Sequence, residues 1–389
     1  MSFPRLSLSR FLVLAFVAPG AAHAQDADRV DVRVSGTILL NTFTTSQRTN
    51  NFDLPQFVLR PSTADSLGDG GGMGMTVRQT RLGVRAFWPD VRGAEVRAEL
   101  DTDFFGGQQA SGFGDLFALL RVRRAVVDAA WSRGSLLIGQ EVPLIAEYNP
   151  ESLAMLGFSG LATSGNLWLW LPQVRGSVRV ARGTAARLDL EAAVLGAGSN
   201  EAQGELFTQP DRAEQSGRPS LQGRAIVRWG SAERPGDVSL GAHRGWLATS
   251  GDSLLASRAV AAAWRIPLGA RASITGEAFR GAALTGLGGG GVGQHLGVGQ
   301  APVESRGGWS QLLVRVGSDI SLGAMWGMDD PDDAQLDANG RLNNATWGGS
   351  ISWSPAPFVS ALEVRRMTTT YRTGALHAVH INLALGVSF

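Results

Sequence analysis

From Arg81 to Phe105 the chain reads RLGVRAFWPDVRGAEVRAELDTDFF. Arg81, Arg85, Glu95, Arg97, Glu99, Asp101 and Asp103 alternate with Leu82, Val84, Val96, Ala98 and Leu100. Period-two alternation predicts strands, because successive side chains leave a strand on opposite faces. The reversal is expected at Trp88-Pro89-Asp90, where Pro89 lacks an amide hydrogen. The same pattern recurs further along. In QVRGSVRV, Gln173, Arg175, Ser177 and Arg179 oppose Val174, Val178 and Val180. In RLDLEAAVL, Arg187, Asp189 and Glu191 oppose Leu188, Leu190 and Val194, and Gln222, Arg224 and Arg228 oppose Ala225, Val227 and Trp229.

Short reversals are read at 88–92, 132–134, 182–185, 230–236, 267–270, 317–319 and 354–357. Long polar loops separate them at 42–74, 106–115, 142–168, 197–220, 248–256, 282–307, 327–343 and 368–374. Short and long connections in strict alternation predict about sixteen antiparallel strands with every long loop at one end, the layout of a transmembrane β-barrel. A soluble sandwich, with the aliphatic rows as its core, is the competing fold. Tryptophan placement argues against it. Trp88, Trp131, Trp229, Trp264 and Trp353 adjoin short turns, and Trp168, Trp170, Trp246, Trp309, Trp326 and Trp347 lie toward the long loops, as two interfacial belts require. In the last strand, HAVHINLALGVSF, Ile381, Leu383, Leu385, Val387 and Phe389 share one face. That ending resembles the signal by which the outer-membrane assembly machinery recognises its substrates, which makes that machinery an expected partner through Phe389.

Composition narrows the function. Residues 1–24 carry Arg5 and Arg10 before the apolar run FLVLAFVAPGAA and end in Ala-His-Ala, a signal peptide by pattern. Residues 25–389 are then one barrel domain, exported to the outer membrane of a Gram-negative-type bacterium. The chain has no cysteine and no lysine, which excludes disulfides, thiolate metal sites, a P-loop lysine and Schiff-base chemistry. No cofactor and no nucleic-acid partner is expected.

A barrel of about sixteen strands is wide enough for an aqueous channel. Its inner face is read as carrying Arg81, Arg85, Arg97, Arg121, Arg123, Arg175, Arg179, Arg187, Arg224, Arg228 and Arg315 beside Glu95, Glu99, Asp101, Asp189, Glu191, Glu277 and Glu363. Guanidinium forks suit carboxylates and phosphates, so small anions are the expected solutes; cross-strand pairing with the acids is the competing role. After Arg123 the register is ambiguous, and a bulge would resolve it. Loop 142–168 is apolar for its length. It is expected to fold into the pore, with Asn149–Ser152 opening a short helix and Glu147, Tyr148 and Glu151 facing the arginine wall.

The stretches RLGVRAFWPDVRGAEVRAELDTDFFGG, LLRVRRAVVDAAW and GSLLIGQEVPLIAEYNPESLA resemble outer-membrane porins, and among them the DcaP-like group. The similarity lies mainly in 77–180 and the last strand; Arg121, Arg123, Gly139 and Gln140 match that group's pattern, and Arg124 and Val126 depart from it. The resemblance implies a homotrimer in outer-membrane lipid and lipopolysaccharide, passing small hydrophilic solutes without catalysis. An outer-membrane lipase or protease with a rim site at His243 or His377 is the alternative. The loop from Asp329, DDPDDAQLDANGRLNN, lacks the closing acid of an EF-hand, leaving only loose divalent binding. The glycine run from Gly286, GLGGGGVGQHLGVGQ, is read as a mobile loop tip.

Overall fold

A computed structural model describes residues 30–62, 70–110, 116–183, 185–199, 210–250 and 253–389, so the expected signal peptide lies outside the described residues. The strands are β1 (Asp31–Thr45), β2 (Gly72–Thr76), β3 (Arg81–Val91), β4 (Ala94–Asp103), β5 (Gln108–Ala110), β6 (Leu116–Ala118), β7 (Arg121–Trp131), β8 (Gly134–Glu141), β9 (Leu171–Arg182) and β10 (Ala186–Leu195). They continue as β11 (Ser220–Gly230), β12 (Pro235–Ala248), β13 (Leu254–Leu268), β14 (Ala272–Ala282), β15 (Glu304–Arg315), β16 (Ile320–Pro331), β17 (Arg341–Trp353), β18 (Phe358–Tyr371) and β19 (Gly374–Ser388). β5 and β6 form a separate small hairpin within a loop. The other seventeen make one antiparallel sheet, in which β2 and β3 lie end to end against the same strand, β1, giving sixteen staves. β1 also pairs with β19 from Thr37↔Ser388 to Thr45↔His380, which closes the barrel. The expected fold stands.

The two rows of each strand meet different surroundings. Outward residues such as Val34, Ile38, Leu240 and Val260 are more than half exposed, whereas inward Asn41, Thr45, Glu363 and Asn382 are almost wholly buried. A sandwich would bury the first set and wet the second. A continuous apolar exterior on a closed sheet instead fits hydrocarbon, where each backbone amide needs an internal partner.

All seven short reversals occur where the pattern places them. The first turns at Arg92 and Gly93, three residues past Pro89 and at the far edge of the expected range. Arg92 and Gly93 both have positive φ, 54° and 80°, as a two-residue hairpin turn requires, and Asp90 Oδ1 accepts from Gly93 N–H at 2.8 Å. The long loop expected at 368–374 is absent. β-Branched Thr368, Thr369 and Thr370 keep β18 paired as far as Tyr371↔Gly374, leaving a two-residue turn. The bulge appears in β7: Asp101 pairs with Arg124 and Thr102 with Val122, so Arg123 is the extra residue. Of the six tryptophans assigned to the loop-side belt, three face inward or lie in the lumen. Trp309 is buried on the inner face of β15, where it packs with Leu54, Met155, Leu161 and Met325, and Trp168 and Trp170 end the loop that enters the barrel.

The barrel lumen as candidate functional site

The connection between β8 and β9 enters the barrel, as expected for 142–168. It forms no helix at Asn149–Ser152; turns and irregular backbone replace it. The wall supplies the bonds that helical hydrogen bonding would have made. Gln311 is bonded both ways to Glu151, accepting from its N–H and donating to its carbonyl, each at 2.8 Å. Asn41 Nδ2 donates to Leu153 O at 3.1 Å, Gln79 Nε2 to Ala154 O at 2.9 Å and Arg121 Nη2 to Gly157 O at 2.7 Å. Glu277 Oε1 accepts from Leu167 N–H at 2.5 Å, and Ser152 Oγ donates to Glu363 Oε2 at 2.5 Å. Arg365 is fully buried beside Glu363 at 3.0 Å and donates to Pro55 O at 3.0 Å.

Apolar residues of the loop account for its docking. Leu144, Ile145, Ala146 and Leu167 pack on Ala193, Ala259, Ala261 and Phe279 of the inner wall, joined by Leu171 at the start of β9. Leu284 and Leu287 join the same cluster from the β14–β15 connection. The glycine run is therefore no free tip. It folds inward over the first loop, where a side chain at Gly289 would lie 2.3 Å from Asn166 O. Leu54 and Val58, from the β1–β2 connection, are buried within the barrel as well.

Below these loops, toward the short turns, lies a cavity of about 1060 Å³. Arg81, Arg123, Arg124, Arg175, Arg234, Arg265, Arg271 and Arg315 line it with Glu141, Glu147, Glu151 and Glu233. Every arginine read as pore-lining is on the inner face, yet only Arg81, Arg123, Arg175 and Arg315 reach this cavity. Most of the others are held by acids. Arg121 pairs with Asp103 at 2.6 Å, Arg228 with Asp189 at 2.5 Å and Glu191 at 2.8 Å, and Arg187 with Asp189 at 3.1 Å. Arg179 lies 3.7 Å from Asp189, Arg85 3.4 Å from Glu99 and Arg97 3.3 Å from Glu95. Arg224 bridges Glu147 at 2.6 Å and Glu191 at 2.7 Å.

Within the cavity Arg81 is paired with Asp101 at 2.5 Å, Arg265 with Asp237 at 2.8 Å and Arg124 with Glu141 and with Glu99. Arg123 lies 3.5 Å from Asp103 and stacks over the Trp170 ring at 4.5 Å. Among the described residues Arg175 has no carboxylate against it; its guanidinium donates to Gln173 Oε1 at 2.9 Å and Val142 O at 2.8 Å. Arg315 donates to Ala270 O at 3.1 Å. The loop residues divide. Burial alone would raise the Glu147 carboxyl, but Arg224, with Arg228 and Arg175 behind it, holds it below its ordinary range. Burial, then the Glu147 charge and the bond to Asp237, raise the Tyr148 hydroxyl, which donates to Asp237 Oδ1 at 2.5 Å. Glu151 lines the cavity with no arginine partner among the described residues.

Arg124, Arg234, Arg265 and Arg271 line the cavity beyond the arginines expected there. Arg124 turns inward only because of the bulge, and Arg234 and Arg271 lie in turns, where alternation carries no information. Arg265 does follow the inward parity of Ala259, Ala261 and Ala263 on β13 and was legible from it. The hydrolase geometry is incomplete. His243 Nε2 is 3.2 Å from Ser257 Oγ, but its Nδ1 faces Gln222 at 3.1 Å in place of an acid, and Ser257 donates to Ala283 O. His377 bonds Thr368 on the outer surface.

No protein-family model matches the chain, and no curated protein sequence matches it. Solved structures do. The outer-membrane channel DcaP of Acinetobacter baumannii is 17% identical, with a TM-score of 0.69, covering 92% of this chain and 97% of its own. An anion-selective porin from Comamonas acidovorans is 11% identical with a TM-score of 0.57, covering 93% and 100%. Pseudomonas putida OprB is 9% identical with a TM-score of 0.56, covering 92% and 94%. A closed sixteen-stave barrel with an apolar exterior and an inward-folded loop thus gives this chain the fold of the outer-membrane porins, the fold shared by the DcaP channel that its own sequence resembles.

Proposed function

We propose that the protein is an outer-membrane diffusion porin for small hydrophilic solutes, favouring anions, and that it works as a homotrimer. The observation that carries the anion preference is the charge left over in the cavity. Once Arg81, Arg123, Arg124 and Arg265 are set against Asp101, Asp103, Glu141 and Asp237, and Glu147 against Arg224, the lining retains Arg175, Arg234, Arg271 and Arg315 against Glu151 and Glu233. A surplus of fixed cations in a narrow low-dielectric passage raises the local concentration of anions. The fully paired arginines take the bland role, fixing the wall. Phe389, whose backbone pairs with Gly36 at 3.0 Å in each direction, is the proposed contact of the assembly machinery. No step of catalysis is assigned to the protein.

The test is the reversal potential across a planar bilayer in a salt gradient. An anion-directed potential is expected, reduced or inverted by Arg175→Glu combined with Arg315→Glu. A cation-directed potential from the unaltered protein overturns the preference. Absence of conductance steps from folded protein overturns the channel itself.

A further inference from the structure

Charge on the outer face of a membrane barrel is costly unless it stands at headgroup level. Four consecutive strands, β12 to β15, nonetheless carry exposed, outward Arg244, Arg258, Arg280 and Arg306. Register gathers them. Arg244 stands directly opposite Arg258, and Arg280 directly opposite Arg306, with Arg280 one step along from Arg258, opposite Val260. Like charges directly opposite one another destabilise a sheet. Only half of this row is neutralised: Arg258 pairs with Glu304 at 2.6 Å and Arg306 with Asp330 at 2.8 Å. Arg244 sits 5.9 Å from the Trp246 ring centre, and among the described residues neither it nor Arg280 has a carboxylate partner.

The height of the row is set by its distance from the turns. On β13, Arg258 is ten residues from exposed, outward Leu268 at the turn end, and Arg306 is ten residues from exposed Val316. Spans of about ten residues are what a tilted strand needs to cross the hydrocarbon. The arginines therefore stand where hydrocarbon gives way to headgroups on the long-loop side. Across the barrel, the corresponding outward positions of β1, β2 and β4 are Thr42, Thr44, Met73, Met75 and Leu100, without charge.

We infer that this row is a docking site for the phosphorylated headgroup of an outer-leaflet glycolipid. Arg244 and Arg280 grip phosphate oxygens, for which the guanidinium fork is matched, while Glu304 and Asp330 hold Arg258 and Arg306 in place beside them. A phosphate between the two like-charged pairs removes their repulsion. A second copy of the chain is the weaker occupant, because the uncharged face across the barrel offers this row no carboxylate. The inference rests on the barrel's residence in an outer membrane and not on its solute preference.

The test is native mass spectrometry of the full protein in mild detergent. It is incubated with lipid A bearing two phosphates, with the same lipid dephosphorylated, or with the first lipid plus inorganic phosphate. The expected result is retention of the diphosphorylated lipid at least about tenfold above the dephosphorylated one, with that preference lost in R244Q/R280Q and kept in R33Q on the turn side. Inorganic phosphate at equal concentration should not displace it. Equal retention by R244Q/R280Q, or full displacement by inorganic phosphate, overturns the lipid assignment. Loss of the trimer in R244Q/R280Q with lipid retention unchanged makes the row a subunit contact and overturns it too. Heat-modifiable gel mobility reports folding of each variant; if the double variant fails to fold, the single variant R280Q takes its place under the same outcomes. Conductance steps should be unchanged throughout, which separates this result from any failure of the channel reading.

Discussion

The inner wall has two arcs that share one alternation and differ in what they hold. From β3 to β11 its inward positions are charged: Arg81, Arg121, Arg123, Arg224 and Arg228 are laddered with Asp101, Asp103, Asp189 and Glu191. From β12 to β19 they are mostly small or neutral, with Ala259, Ala261, Ala263, Asn344, Thr346, Thr369 and Asn382 buried. Toward the turns the cavity takes arginines from both arcs, Arg81, Arg123 and Arg175 from the first and Arg265 and Arg315 from the second. The second accepts polypeptide, and much of the ingrowing loops rests on it, through apolar contact and through bonds such as those from Asn344 Nδ2 to Thr163 O at 3.0 Å and Ser164 Oγ at 2.7 Å. Its charged residues divide: Asp237, Arg265 and Arg315 lie toward the turns, at or beside the cavity, and Glu277 holds the loop at Leu167 N–H. Glu363 and Arg365 are a charged pair on the neutral arc, and both bond to ingrowing loops.

The largest effect is expected where loop backbone touches this second arc. Gly165 has φ of 93°, and a side chain there would lie 2.3 Å from the backbone of Gly308. Gly165→Val should lift the loop from the wall and raise single-channel conductance several-fold, and an unchanged conductance would show that the loop does not set the resistance. Arg365→Ala comes next. It leaves Glu363 buried without its cation, a defect worth about 3–5 kcal/mol. The temperature at which the folded band disappears on gels should fall, and current noise should grow as the loop undocks. An unaltered melting temperature would contradict the pairing. The smallest effect belongs to the charged arc: Arg85 is 65% exposed and 3.4 Å from Glu99, so Arg85→Gln should cost well under about 1 kcal/mol and leave the melting temperature unchanged. A clear destabilisation there would mean that the charged arc, too, is structural.

Alternation made the wall legible because a strand obliges every second side chain to share a face. The outward row of β19, with Ile381, Leu383 and Leu385, and the inner row of β10, with Asp189 and Glu191, follow directly from it. What fills the barrel was less legible. The apolar content of 142–168 announced burial, but its backbone is fixed by Gln311 and Asn41 of distant strands and by Gln79 of the β2–β3 connection, which carry no local signal. The inward course of the glycine run was hidden for the same reason, since its partners Asn166 and Leu169 belong to another loop. Arg123 and Arg124 show a third limit. A bulge changes parity by one residue, and only the partner strand reveals where.

The seam between β1 and β19 joins Thr37 to Ser388, whose hydroxyls meet at 3.0 Å across a separation of 351 residues. The strand that leaves the ribosome early must therefore wait for the last one before the ring is complete. During that wait two raw margins stand open, each able to recruit a stray strand. Delayed sealing of this kind should make loss of even a few residues from β19 more damaging than their number would suggest.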